Sequence, residues 1–104
     1  MSQEFKKDGP FLLGVDAGTE SLRAGIFDVQ GNPLAFSSTN YATSFPQPGW
    51  AEQDPHDWWN ALGLSVRSAV LKAAIDPEAI ASMAVDTTCC SVVALDDSGD
   101  PLRP

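Results

Sequence analysis

The sequence predicts a mixed α/β sheet, in which a three-strand antiparallel meander is followed by a helical crossover to a parallel strand. Three observations predict it. Short strand-like segments recur at 11–16, 22–28 and 34–39, and their connections are short enough to demand antiparallel neighbours. One long stretch, 55–74, carries apolar residues at three- and four-residue spacing. A further apolar segment, 80–86, follows it, and a strand reached through a crossover helix pairs naturally in parallel.

Each element has its own justification. Residues 1–9 are a polar lead-in, expected to be mobile. Phe11-Leu12-Leu13 opens the first strand, and Ala24-Gly25-Ile26-Phe27 is the heart of the second. Asp28-Val29-Gln30-Gly31-Asn32 is turn chemistry, and the third strand resumes at Leu34. Three prolines and a glycine between 44 and 55 exclude regular structure there. Asp54-Pro55 reads as an N-cap followed by proline at the first helical position. Trp58, Leu62, Val66, Ala69, Val70 and Ala73 form the apolar stripe of the helix, which runs to about Ala74. Asp76-Pro77-Glu78 breaks it and starts one further turn. Residues 80–86 are expected to be a buried strand, Ser91 to Leu95 another, and Asp96-Asp97-Ser98-Gly99-Asp100 a turn leading to a hairpin arm at Pro101-Leu102. Five strand-like segments with one long helix leave a sheet face and an edge uncovered, so residues 10–104 read as an incomplete domain, the front of a larger fold. That open edge is a possible route to a homo-oligomer.

Composition narrows the function. The 104 residues carry 6 Lys and Arg against 14 Asp and Glu, a net charge of −8. Nucleic acid is excluded as a partner on this balance, because phosphate backbones are bound by Lys and Arg. A nucleotide is not excluded, since it arrives with a metal ion and is held by backbone amides. No apolar run approaches the ~20 residues needed to cross a bilayer, so no membrane role is expected. The start lacks the apolar core of a secretory signal. Cys89 and Cys90 are adjacent, with no CxxC or histidine partner, which argues against a metal framework and for a reducing, cytoplasmic setting.

The residues with chemistry are concentrated between the first two strands, in Asp16-Ala17-Gly18-Thr19-Glu20-Ser21-Leu22-Arg23. Glycine lets backbone N–H groups approach an anion. Thr19 and Ser21 can donate to phosphate oxygens. Asp16 is a hard oxygen ligand suited to Mg²⁺ or its bound waters. The turn is therefore a candidate phosphate and cation site, with Arg23 either facing the phosphates or solvated at the strand start. Other residues have plainer readings. His56 is an exposed helix-start residue. Asp86 is read as capping a turn rather than as an acid. The cysteines are packing residues. Trp58 and Trp59 cannot both face one core, so one faces a neighbouring element.

These residues resemble a known family. Asp16 to Arg23 looks like the first phosphate motif of sugar kinases in the actin and hexokinase superfamily. Pro48-Gly49-Trp50-Ala51-Glu52-Gln53-Asp54-Pro55, followed by Trp58-Trp59, looks like the segment before the first long helix of FGGY carbohydrate kinases. Ala84 to Asp96 resembles the next strand pair of ribulokinase-like members. The three matches keep the family's order across 11–104. The resemblance implies an actin/hexokinase-like (ribonuclease H-like) fold and an enzyme that transfers the terminal phosphoryl of ATP to a hydroxyl of a sugar or polyol. It implies that Asp16 sits near Mg²⁺, that Gly18, Thr19 and Ser21 line the phosphate loop, and that Arg23 faces the phosphates. Thr87, Thr88 and Cys89 occupy the position where glycerol-kinase-like members place an Arg-Glu pair for substrate hydroxyls. Lacking that pair, the chain is expected to take a ketopentose such as ribulose rather than glycerol. The family's catalytic base and adenosine-binding domain fall beyond residue 104, so these residues alone are expected to be inactive. Two other readings stand beside this one: a non-catalytic product that binds phosphate weakly or pairs through its open edge, and an actin-like or chaperone-type ATPase sharing only the phosphate loop.

Overall fold

A computed structural model describes residues 9–104. The expected lead-in lies, as far as residue 8, outside the described residues. The element order is β1 (Phe11–Ala17), β2 (Ser21–Asp28), β3 (Pro33–Asn40), α1 (Pro55–Ala73), a single 3₁₀ turn (Pro77–Ala79) and β4 (Ile80–Thr87). The sheet order is β3-β2-β1-β4. β1 and β2 pair antiparallel, as do β2 and β3, while β4 pairs parallel to β1. The meander and the parallel return are those expected from the sequence.

The turns follow from their residues. Asp28 accepts from the amides of Gln30 and Asn32 and from the Asn32 side chain, and Gly31 takes the left-handed conformation at φ 86°. That carboxylate is held below its usual range, first by the Asn32 side-chain amide. Asp54 caps α1 by accepting from His56 N at 2.9 Å, with Pro55 at the first helical position. Ala74 ends the helix in the left-handed region at φ 54°, its N–H donating to Leu71 O.

Strand alternation decides what the sheet buries. Phe11, Leu13 and Val15 of β1 and Leu22, Ala24 and Ile26 of β2 all face α1 and are buried. The helix answers with Ala61, Ser65, Ala69 and Ala73, all buried, at strict four-residue spacing. This seam lies one residue behind much of the expected stripe. Trp58, Leu62, Val66 and Val70 flank it half-buried. Small residues on the seam let the helix backbone approach the sheet closely. Ser65 is fully buried because its hydroxyl is satisfied, lying 2.7 Å from Thr39 Oγ1. Ile26 and Ile75 are the largest fully buried apolar side chains, each worth roughly 1.5–3 kcal/mol of burial.

Two expectations are corrected. β4 forms in the expected place but is not buried: Ile80 is half-buried and every later residue of the strand is exposed. The cause is the placement of α1, which packs across β3 and β2 and leaves β4, at the far edge, without a lid. Residues 91–95 form no strand. Only an isolated antiparallel bridge, Leu95 to Pro101, closes the turn that Asp96 organises. Val92 is 88% exposed, so this arm has no sheet to pack on. Among the described residues no helix is long and apolar enough to cross a membrane.

Candidate functional site

The sheet face away from α1 carries a polar row at the end of the strands. Asp16 is the register partner of Arg23 on β2 and of Asp86 on β4, and Arg23 is the partner of Ser38 on β3. Register partners point to the same face, so Asp86, Asp16, Arg23 and Ser38 form one line across all four strands. All four are exposed. Two carboxylates on strands about 4.8 Å apart repel unless a cation lies between them. The two carboxylates are hard oxygen donors of the kind Mg²⁺ takes, and since no third His, Cys, Asp or Glu side chain is grouped with them among the described residues, its other ligands would have to be waters or phosphate oxygens. Asp86 caps no turn among the described residues, so its reading as a turn cap is replaced by its place in this row.

The turn between β1 and β2 stands at the end of that row. Its inner carbonyls are claimed by side chains from distant segments. The buried Tyr41 hydroxyl donates to Gly18 O and also lies 3.1 Å from Ser21 O. Burial pushes the Tyr41 phenol up from its usual value, with the Asp16 charge adding to it, so the group stays a neutral donor. Gln53 Nε2 donates to Thr19 O at 2.6 Å and to Thr43 Oγ1 at 2.8 Å. Gln53 Oε1 in turn accepts from Trp58 Nε1 at 2.9 Å. One amide therefore ties the turn, the proline-rich loop and the first turns of α1 together.

With the carbonyls held inward, the amides of Thr19 and Glu20 have no partner among the described residues. Those two N–H groups, with the Thr19 hydroxyl, are the turn's free donors for an anion. Gly18 contributes differently from the expectation. Its own N–H is spent on Ser21 O at 2.9 Å, which closes the turn. Its lack of a side chain eases this closure, since an added Cβ would lie 3.3 Å from that same carbonyl, a tight contact that a small shift would have to relieve. Ser21 points to the open face with Arg23, by alternation around the buried Leu22.

The expected sugar-side residues follow β4. Thr88 N donates to Ala17 O at 3.2 Å, which sets the end of β4 beside the β1–β2 turn. Thr87 shares the α1 side of the sheet with Val15 and lines a cleft of about 380 Å³ with Trp58, Trp59 and Thr88. Thr88 and Cys89 line a second groove, of about 840 Å³, with Thr19 and Thr43. The structure thus brings Thr19 together with Thr88 and Cys89, while Asp16, Ser21 and Arg23 lie on the opposite sheet face at the same end. Trp58 is the half-buried tryptophan and Trp59 the exposed one, at 73%. His56 is exposed, as expected.

The comparisons with known proteins fall on this same arrangement. The description "FGGY family of carbohydrate kinases, N-terminal domain" matches residues 11–104. The chain belongs to the FGGY family of carbohydrate kinases. Among its relatives, a glycerol kinase of Thermococcus onnurineus is 37% identical over 93 residues, which is 89% of this chain and 19% of the relative. A glycerol kinase of Roseobacter denitrificans is 38% identical over 92 residues, 88% of this chain and 19% of its own length. The solved xylulose kinase of Rhodospirillum rubrum superposes with a TM-score of 0.80 at 31% identity, over 90% of this chain and 19% of that one. The chain therefore spans about a fifth of the length of the relatives it matches. The fold is the actin/hexokinase-like one of FGGY sugar kinases, seen here as part of a domain.

Sequence reasoning missed Tyr41 and Gln53 as organisers of the β1–β2 turn. A signal for Gln53 existed, since it lies inside the Pro-Gly-Trp-Ala-Glu-Gln-Asp-Pro loop. Tyr41 had none beyond being the chain's single tyrosine at a strand end.

Proposed function

We propose that this chain is the N-terminal part of an ATP-dependent carbohydrate kinase, one that phosphorylates a hydroxyl of a ketopentose such as ribulose. The observation that carries it is the turn itself: two free amides and a hydroxyl at the end of a row holding Asp16, Asp86 and Arg23, in a chain of the FGGY family. In this reading Gly18 closes the turn, and Thr19, Ser21 and Arg23 hold phosphate oxygens. Asp16 and Asp86 would hold Mg²⁺. The cation supplies neutralisation of charge on the phosphates, and transfer of a phosphoryl group depends on that neutralisation and on positioning. Thr87, Thr88 and Cys89 face the sugar. Their lack of a charged pair favours a ketopentose over glycerol, although the relatives matched by sequence, the two above among them, are named glycerol kinases. Self-association through the free edge of β4 belongs to the same reading, and light scattering reads it directly.

The test is a coupled assay on the protein at its natural length, with ATP, Mg²⁺ and a panel of ketopentoses, aldoses and glycerol. The expected result is sugar-dependent ADP release with the highest kcat/KM on a ketopentose. Asp16→Ala should lower kcat by roughly a hundredfold or more, the scale of removing one charge-stabilising group. ADP release that ignores sugar would overturn the kinase reading. A preference for glycerol would overturn the substrate class alone.

A further inference from the structure

Cys89 and Cys90, expected from the sequence to be packing residues, are instead free thiols and both are exposed, because nothing covers the chain beyond β4. Their sulfurs lie 3.6 Å apart on the wall of the larger groove, beside Thr19, Thr43 and Thr88. That separation decides what the pair can hold. A disulfide needs sulfurs about 2.05 Å apart, so forming one would draw them together across a single peptide unit. Two sulfurs bound at about 2.3 Å to one trivalent, pyramidal thiophilic centre, with a bond angle of about 100°, stand about 3.5 Å apart. The observed distance is that of one thiol donating to the other, and a shared centre is reached from it with almost no movement, whereas a disulfide needs the sulfurs to close by more than an ångström.

The rest of the coordination set decides which centre. Among the described residues no group of three or more His, Cys, Asp or Glu side chains is placed to hold a metal ion. A four-coordinate zinc would be left with two protein ligands. A centre that needs only two sulfurs, and brings its remaining substituent with it, is satisfied. We propose that Cys89 and Cys90 form a vicinal-dithiol site for a trivalent arsenical of the arsenoxide class, R–As=O. The reaction balances without oxidant or reductant. Each sulfur forms one As–S bond, and the arsenic keeps its carbon substituent and its oxidation state. The oxygen leaves as water with both thiol protons. The bound centre sits in the groove that Thr19 and Thr88 share, between the phosphate turn and the end of β4. The site depends on the two thiols alone and stands whether or not the protein is a kinase.

The experiment uses the reduced protein at its natural length, phenylarsine oxide as the probe, and intact mass and peptide mapping as readouts. One arsenical should add per Cys89–Cys90 pair, and both thiols should then resist iodoacetamide. The adduct should survive excess 2-mercaptoethanol and be stripped by 2,3-dimercaptopropanol. Cys89→Ser and Cys90→Ser should each lose the adduct to monothiol at roughly hundredfold lower concentration, the scale of one lost intramolecular contact. Two results overturn the proposal: a wild-type adduct that monothiol strips as readily as from either variant, or arsenical-treated wild type in which either thiol is still alkylated at its free rate. The second is read on the wild type, so it decides the matter even where a serine variant fails to fold.

Discussion

Gln53→Ala isolates the connection between the β1–β2 turn and α1. The substitution removes two donated bonds, to Thr19 O and Thr43 Oγ1, and one accepted from Trp58 Nε1. Net contributions of about 0.5–1.5 kcal/mol per bond would sum to roughly 1.5–4.5 kcal/mol. Thr19 is exposed, so its carbonyl regains water. The indole N–H of half-buried Trp58 does so less readily and carries most of the cost. The expected loss is about 2 kcal/mol, or a fall of about 1 M in the urea midpoint at an ordinary slope for this size. The assay is urea denaturation followed by tryptophan fluorescence and far-UV circular dichroism. A double-mutant cycle with Trp58→Phe separates the pair from its surroundings, with a coupling of about 1 kcal/mol expected. A coupling within error of zero, or a Gln53→Ala midpoint equal to wild type, would refute the view that this amide holds the turn.

Two further predictions concern the frame of the site. Asp28 titrates below its ordinary 3.8 in the folded protein, so its charged form stabilises the fold above that value. The wild type should therefore be more stable than Asp28→Asn at neutral pH. That lead should shrink as pH falls through the folded pKa, and a lead that grows in acid would contradict the assignment. Gly25 lies beneath the edge-to-face pair of Phe27 and Phe36, where an added Cβ would stand 2.7 Å from Phe36 and 3.0 Å from Phe27. Phe36 is half-exposed and can swing away, so Gly25→Ala should cost only the ring pair, about 1 kcal/mol, measured as a midpoint shift. An unchanged midpoint would show that the pair contributes nothing.

The parts of the fold visible in the sequence were those written in neighbouring residues. Asp54-Pro55 marked the start of α1 because capping is a three-residue interaction. Gly31 and Asp28 marked the first hairpin for the same reason. Burial of β4 was misjudged because an apolar segment such as Met83 to Val85 says nothing about whether a partner layer covers it. Residues 91–95 read as a strand because their pattern suits one, but pairing needs an edge within reach and the structure supplies only one bridge. The site divided along the same line. Asp16, Thr19 and Arg23 were legible because they surround one turn. Tyr41 and Gln53 were not, because each acts on carbonyls 20 or more residues away. Asp86 became legible only through its register with Asp16, seventy positions earlier.

That register has a consequence for the order of assembly. β1, β2 and β3 reach their partners through turns of a few residues, so the meander can close as soon as it is made. β1's second neighbour is set only after α1 has formed and crossed the sheet. Closing so long a loop costs entropy before any contact repays it. During synthesis the β1 edge therefore stands unpaired for the time it takes to add the stretch from Ala17 to Ile80, several seconds at about 5–20 residues per second. The carboxylate of Asp16 is in place from the outset, whereas its neighbour Asp86 arrives last. The polar row is thus completed by the slowest pairing in the sheet, and its formation reports the end of folding for this segment.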